Sequence, residues 1–400
     1  MDVLKPITFS VLQKDLESAL KQISKTPLSP GYCEKNGIPF IYSCIVFTLQ
    51  KGSLHIWASD RDTAIRSEIP ILDQESDHEE TVFAVHHYDI LPVVRRLDKQ
   101  ELGIEVSGGH MKVSHSFGSF SLSLSNDGIE IFQERIKAMQ EKTCTYNLEL
   151  GTSFLRSALS RLSYAVAKDD LRPILNGVCV GTGGNQLYFV ASDGHVLIRI
   201  QKQVQEASLS RFIIPSRSLA VIRHILSGTS SVSMSYALAP EDPEKDYEGI
   251  VQVCTDTGTR YWFIPVPGRY PDFTKVIPTS FTGSLLVNRN TFAGSLNRLG
   301  LFTDVSEAAR FQMLQDSLHI KVRDKDFEFE AEESIPATLE GSGQTFGMRI
   351  KFLLNTLRNI RTENVSIQCE GTERAFVFSP HPQAETEKVT MLVMPMAMDD

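Results

Sequence analysis

The sequence predicts an α+β protein built from three tandem copies of one unit of about 130 residues. Each copy lays two helices on antiparallel sheet. Three observations carry this: an amphipathic helix pattern that opens the chain and returns twice, a strand-like run ending in Asp that returns with it, and a second helix pattern after each run.

The first helix shows Leu12, Leu16, Ala19, Leu20 and Ile23, one face of a 3.6-residue period. The pattern recurs as Leu155, Leu159, Leu162 and Val166, and as Phe292, Leu296 and Leu299. The strand-like runs are LHIWASD (54–60), LYFVASD (187–193) and LHIKVRD (318–324), with their Asp residues 133 and 131 positions apart. Between the first two copies the helices are offset by 143 positions, so about ten residues are inserted between helix and strand in the first. PLSPGYCEKNG (27–37), rich in turn formers, is expected to be that insertion, as a loop. Second helices are predicted at 86–97, 215–226 and 349–360, followed by strand-like alternation at 120–125, 251–263 and 375–379. The expected domains are 1–142, 143–277 and 278–400, with loops at 240–249 and 381–388.

The 400 residues are 42% hydrophobic and 22% charged, enough apolar material for several cores. Six cysteines stand at 33, 44, 144, 179, 254 and 369 without CxxC spacing, which argues against a zinc site or disulfide framework and fits a reducing, cytoplasmic setting. No signal-peptide pattern opens the chain, and no apolar run reaches the roughly 18 residues of a membrane helix.

Charge is sorted along the sequence. The six helix windows (10–25, 86–97, 152–166, 215–226, 289–301, 349–361) hold fifteen basic residues: Lys14, Lys21, Lys25, Arg95, Arg96, Arg156, Arg161, Arg217, Arg223, Arg289, Arg298, Arg349, Lys351, Arg358 and Arg361. Against them stand only Asp15, Glu17 and Asp89. With the chain at −9 overall, a surplus of twelve positive charges in the helices leaves −21 elsewhere. If the repeats curve with the helices inward, the inner face is basic and suits a polyanion held by its phosphates. No DNA-reading motif is present, so sequence-specific readout is not expected. Phosphate loops, dinucleotide fingerprints, nucleophile elbows and metalloprotease motifs are also missing. Asp193-Gly194-His195 places an acid near an imidazole, but it reads as a strand-to-turn junction with no nucleophile beside it.

Four ordered motifs then converge: Leu171-Arg172-Pro173-Ile174-Leu175-Asn176-Gly177, Ala191-Ser192-Asp193-Gly194-His195, Pro267-Gly268-Arg269-Tyr270-Pro271-Asp272-Phe273 with Val276-Ile277-Pro278, and Val393-Met394-Pro395-Met396. With the triplication, the whole chain resembles the bacterial DNA polymerase III β subunit family of sliding clamps. The resemblance implies a head-to-tail homodimer whose six domains close a ring around duplex DNA, without catalysis or cofactor. The implied partners are the replicative polymerase, a clamp loader and other proteins bearing the clamp-binding motif.

The resemblance also implies site residues. A peptide pocket would use Leu175, Ser192, Gly194, His195, Leu197, Pro271, Lys275, Val276, Val393, Met394, Pro395 and Met396, with Arg349 and Phe352 beside them. DNA would face Lys14, Lys21, Lys25, Arg95, Arg96, Arg156, Arg161, Lys168, Arg172, Arg217, Arg223, Arg298 and Arg358. Leu301 and Phe302 would meet Phe120 and Leu122 of a second protomer. The chain departs from the family pattern at Val196, where arginine is usual, in the 27–37 insertion, at Asp169 and Asp170, and in the acidic tail 397–400. A repeat-built scaffold that binds protein peptides without encircling DNA is the alternative. A hydrolase using Asp193 or His195 is a further one.

Overall fold

The computed structural model describes residues 6–74, 80–142, 144, 146–168, 171–204, 211–237, 249–304, 306–324 and 327–397. Among them every strand pairing is antiparallel. Two compact units form: residues 1–156 with 217–265, and residues 157–216 with 266–400. The division runs through the second sequence repeat, whose strands serve both units.

The first repeat contains β1 (Ile7–Leu12), α1 (Gln13–Ile23), α2 (Pro30–Asn36), a short 3-10 turn at Phe40–Ser43, β2 (Cys44–Gln50), β3 (Ser53–Ser59), β4 (Thr63–Pro70) and β5 (Asp73–Gln74). It continues with β6 (Glu80–His86), α3 (His87–Val94), β7 (Glu101–Ser107), β8 (His110–His115), β9 (Gly118–Ser123) and α4 (Ile129–Gln140). α1 is amphipathic as its sequence demands: Leu16, Ala19, Leu20 and Ile23 are buried, while Lys14 and Lys21 are exposed. α1 and α3 pack together, and Gln13 Nε2 donates to the Val94 carbonyl at 2.9 Å.

Two expectations change here. The 27–37 insertion is a capped helix, not a loop. Ser29 Oγ accepts from the Tyr32 amide, Pro30 starts the first turn, and Gly37 ends it at φ +60°. These are ordinary start and stop signals around a helix of seven residues. α4 was not anticipated, although Phe132, Ile136 and Met139 keep helical spacing and are all buried.

The second repeat contains β10 (Tyr146–Gly151), α5 (Thr152–Leu162), a 3-10 turn at Pro173–Leu175, β11 (Gly177–Gly183), β12 (Gln186–Ser192), β13 (Val196–Gln203), β14 (Phe212–Pro215) and α6 (Ser216–Ile225). β15 (Ser231–Ala237), β16 (Ile250–Thr255) and β17 (Arg260–Phe263) complete it. The strand-like alternation at 251–263 is a hairpin, turned at Gly258 with φ +85°. The expected loop at 240–249 and Asp169–Asp170 lie almost wholly outside the described residues, as does the end of the acidic tail.

The third repeat contains β18 (Gly283–Asn288), α7 (Arg289–Leu299), β19 (Ala308–Met313), β20 (Ser317–Asp324), β21 (Phe329–Gly341), β22 (Thr345–Arg349), α8 (Ile350–Arg358), β23 (Asn364–Cys369), β24 (Phe376–His381) and β25 (Glu387–Val393).

Sheet order exposes the logic of assembly. The first unit has a five-stranded sheet, β5-β1-β7-β8-β9, and an eight-stranded sheet, β10-β15-β16-β17-β4-β3-β2-β6. The second has one twelve-stranded sheet, β14-β11-β12-β13-β25-β24-β23-β18-β21-β20-β19-β22. In the first unit, β4 of repeat one pairs with β17, the last strand of repeat two. In the second, β13 of repeat two pairs with β25, the last strand of repeat three. Each seam therefore joins the same two strands of successive repeats. Trp57 and Trp262 stack at 5.7 Å in the core of the first seam. Leu175, Leu197, Tyr270, Phe273 and Leu392 share the core of the second.

Candidate functional sites

At the second seam a turn, a tail and a helix meet. The turn is Asp193-Gly194-His195, which reverses the chain between β12 and β13. Asp193 accepts hydrogen bonds from the amides of His195 and Val196, both at 2.8 Å, so its carboxylate holds the turn. Gly194 sits at φ +93°, where a side chain is strained, and a Cβ there would lie 3.2 Å from the Arg172 guanidinium. The tail is stitched down on both sides. The Met394 amide donates to the His195 carbonyl and the Met396 amide to the Gly347 carbonyl, each at 2.9 Å. From the first turn of α8, Phe352 stacks on His195 at 5.6 Å, and the Arg349 guanidinium stands 5.9 Å from the Phe352 ring.

The expected pocket residues divide by exposure. Leu175, Leu197 and Val393 are buried and form the floor. Met394 and Val276 are 41% and 52% exposed, apolar surface offered to solvent. His195, Lys275 and Arg349 are exposed on the same unit, and Phe352, Pro395 and Met396 are half-buried. Pro271 is exposed beside buried Tyr270, whose hydroxyl is pushed above its usual pKa by burial. Ser192 donates to the Val196 carbonyl at 2.8 Å and positions the turn from behind. An apolar surface with a few polar groups and a rigid proline suits capture of a short peptide. Val196, where arginine was expected from the family pattern, is buried opposite Val393. Arg172, expected against DNA, is exposed, with its guanidinium close to Gly194. Its side-chain direction could not be read from a loop sequence.

The first seam repeats this scaffold with different contents. Asp60, Arg61 and Asp62 occupy the places of Asp193, Gly194 and His195. Asp60 accepts from the Thr63 amide at 2.8 Å, and the Ile264 amide donates to the Asp62 carbonyl at 3.2 Å, as Met394 does to His195. Arg61 adopts φ +84° without being glycine, and its carbonyl accepts from Arg135 Nε at 2.8 Å. Arg217 of α6 pairs with Asp62 at 2.8 Å. Burial disfavours the Arg217 charge, yet Asp60 and Asp62 outweigh it and raise its pKa. Burial in turn raises the pKa of Asp60.

The basic residues expected to face DNA fall into two groups. Lys14, Lys25, Arg95, Arg96, Arg156, Lys168 and Arg358 are exposed at or near helices. Others carry acidic partners: Lys21 with Glu17 at 2.5 Å, Arg217 with Asp62, and Arg298 with Glu333 in a two-pronged contact at 2.6 and 2.8 Å. Two depart from the expectation of free surface cations. Arg161 is mostly buried and pairs with Glu387 at 3.0 Å, tying α5 to β25; burial lowers its pKa and Glu387 opposes that. Arg223 is half-buried with its Nε out of contact with solvent.

Among the open strand edges are those of β9 and part of β21. β9 ends its sheet and carries half-buried Phe120 and Leu122. Residues 329–336 of β21 pair with β20 alone among the described residues. Around that edge, Leu301 is 80%, Phe302 41%, Phe327 70% and Phe329 51% exposed, and the Phe329 ring meets those of both Phe302 and Phe327.

Residues 149–257 match the family profile described as DNA polymerase III beta subunit, central domain, and residues 274–397 match its C-terminal domain. The chain is 23% identical over 387 residues to a beta sliding clamp of Pseudomonas putida, covering 96% of this chain and 98% of that one. It is 20% identical over 399 residues to the beta sliding clamp of Vibrio cholerae, covering 98% and 100%. Among solved structures, the DNA polymerase III beta subunit of Thermotoga maritima aligns with TM-score 0.82 at 20% identity, covering 98% of this chain and all of that one. A Pseudomonas aeruginosa sliding clamp bound to griselimycin aligns with TM-score 0.83 at 19% identity, with the same coverage. At such identities structural likeness speaks to the fold.

Proposed function

The chain belongs to the bacterial DNA polymerase III beta subunit family, and from that premise we propose that it is a sliding clamp, a non-catalytic processivity factor that encircles duplex DNA and tethers a replicative polymerase. The observation that carries this reading is the repeated seam. β4 takes β17 and β13 takes β25, while among the described residues the corresponding stretch of repeat three, 329–336 of β21, pairs with β20 alone and the last strand of repeat one, β9, pairs with β8 alone, so each keeps one open edge. A second copy supplies both missing partners at once: β9 of one protomer against β21 of the other, twice, around a two-fold axis. The exposed Leu301, Phe302, Phe327 and Phe329 then become buried. The three clamp domains of each protomer are 1–142, 143–277 and 278–400.

Exposed cations on the helices hold the DNA through its phosphates without fixing a register. Tethering raises the polymerase's effective concentration at the primer end. Polymerase, clamp loader and other motif-bearing proteins dock at the second seam, with an apolar peptide pair seated against Val276 and Met394. This puts the protein's place of work in the cytoplasm.

The test is topological. Protein loaded by a loader onto nicked circular DNA is retained, and cutting the circle releases it by sliding off the ends. Equal retention on circular and linear DNA would overturn the clamp reading. The acid partners of Lys21, Arg217 and Arg298 keep the alternative in view, a scaffold that binds peptides without DNA. That scaffold would show no retention on either form.

A further inference from the structure

Resting on the peptide-capture reading of the second seam, we propose that Arg135 sets how many peptides a chain takes. It straps α4 across the first seam and fills the groove that the second seam leaves open, so that one of two equivalent joints is shut from within.

The starting observation is that the segment after the last strand takes the same path in both joints. The Ser125 amide donates to the Ala84 carbonyl at 2.8 Å, and the Val266 amide donates to the Ile213 carbonyl at 3.0 Å. Further along, Phe132 is buried in the first core and Phe273 in the second. Ile136 belongs to the first core, and Ile277 packs against the second. Each of these pairs is 141 positions apart. The same spacing puts Arg135 in the place of Val276, the exposed residue against which the peptide's apolar pair is proposed to rest.

Arg135 is aimed at the joint. Phe132 and Met139, three positions before it and four after it on α4, are both buried, so Arg135 lies on the helix face turned to the seam. It is half-buried, and its Nε donates to the carbonyl of Arg61, the counterpart of Gly194, at 2.8 Å. The side chain thus spans from linker to turn. Valine, with nothing beyond its two methyl groups, makes no such span at the second seam.

The floor corresponds as well. The Tyr42 carbonyl accepts from the Leu28 amide at 2.9 Å, as the Leu175 carbonyl accepts from the Ala167 amide at 3.1 Å. Burial raises the pKa of the Tyr42 hydroxyl, and the charges of Arg135, Arg61 and Asp62 all reach it. The residues that stand for Leu175, Val276, Gly194 and His195 therefore form one cluster at the first seam. There an arginine covers apolar floor with its methylene stem while its guanidinium bonds the backbone. A peptide entering this groove must break that bond and leave a donor and an acceptor to find new partners. The Asp62–Arg217 pair is a weaker closure, since both side chains are about half exposed. The strap keeps the ring's peptide sites to one per protomer.

Isothermal titration calorimetry of the full-length protein, with a peptide carrying a Gln and a Leu-Phe pair, counts the sites. The native protein should take one peptide per chain, and Arg135→Val should take two. Truncation after Val393 isolates the first seam. In the native sequence it should weaken binding about tenfold or more, and adding Arg135→Val to the truncated chain should restore one site. The reciprocal Val276→Arg should weaken the peptide about tenfold or more in the full-length protein, and it carries the test if Arg135→Val does not fold. A single site in folded Arg135→Val overturns the strap, as does undiminished affinity in Val276→Arg. The two readings fail separately. Truncation that leaves native affinity unchanged sinks the second-seam reading and the strap with it. Truncation that weakens binding, beside a single site in full-length Arg135→Val, sinks the strap alone.

Discussion

At the first seam Asp62 meets Arg217; at the second, in the same turn position, His195 meets Phe352. The backbones correspond, down to the amide of the residue after the last strand donating into the turn. The third residue of the second helix is Ser218 in one case, buried and accepting from the Tyr261 hydroxyl at 3.0 Å. In the other it is Phe352, half-buried and facing the turn. The first seam is filled by a stacked tryptophan pair and an ion pair. The second leaves Met394 and Val276 exposed. One joint, used twice, is closed in one case by polar and aromatic side chains and in the other leaves methionine and valine open, where the proposed function seats a peptide.

The sharpest way to break this contrast is Trp262→Ala. Removing a buried tryptophan should cost about 3–5 kcal/mol in denaturant unfolding while leaving peptide affinity unchanged. A cost below about 1 kcal/mol would mean that the first seam is not held by its packing. Next comes truncation after Val393. A peptide carrying Gln and a Leu-Phe pair should then bind more than tenfold more weakly, about 1.4 kcal/mol or more, because an anchor wall is lost. Retention on circular DNA should persist, and unchanged peptide binding would displace the site from the second seam.

The turns offer a smaller, reciprocal test. Gly194→Ala forces a side chain into the left-handed region against Arg172 and should lower stability by about 1–2 kcal/mol. Arg61→Gly relieves the same strain, but glycine's greater freedom in the unfolded chain offsets the gain, so the net change should stay within about 1 kcal/mol. A large loss at Arg61 would show that its side chain, not its backbone, matters. The least effect belongs to Asp62→Ala. Both members of the Asp62–Arg217 pair are about half exposed, and such pairs contribute about 0–1 kcal/mol. Calorimetry of that variant should still find one peptide per chain; a second bound peptide would mean that the ion pair alone keeps the first seam from binding.

Much of this was legible in residue spacing. The helix period of Leu12 to Ile23 and the recurrence of Asp60, Asp193 and Asp324 marked the repeats, because burial of one helix face and reversal at a strand end are local demands. What escaped was of two kinds. α2 and α4 stand outside the repeat pattern, so periodicity does not point to them as helices, though Ser29, Pro30 and Gly37 carry the signals for one and Phe132, Ile136 and Met139 for the other. The engagement of Arg161 by Glu387 and the turn of Arg172 toward Gly194 depend on partners distant in sequence or on loop geometry, which no local pattern encodes. For the residues expected in the pocket, the split between buried and exposed side chains needed the fold.

The seams also bear on how the chain is made. Arg66 pairs with Arg260, 194 positions later, and Val196 with Val393, 197 later. At a synthesis rate of about 5–20 residues per second, β4 and β13 each wait roughly 10–40 s beside the ribosome before their partner strand emerges. An unpaired strand is a template for wrong pairing during that interval. Both waiting strands carry arginine at the same position, Arg66 and Arg199, and burial in the finished protein lowers the pKa of both. A charge on a bare nascent edge disfavours wrong pairing there.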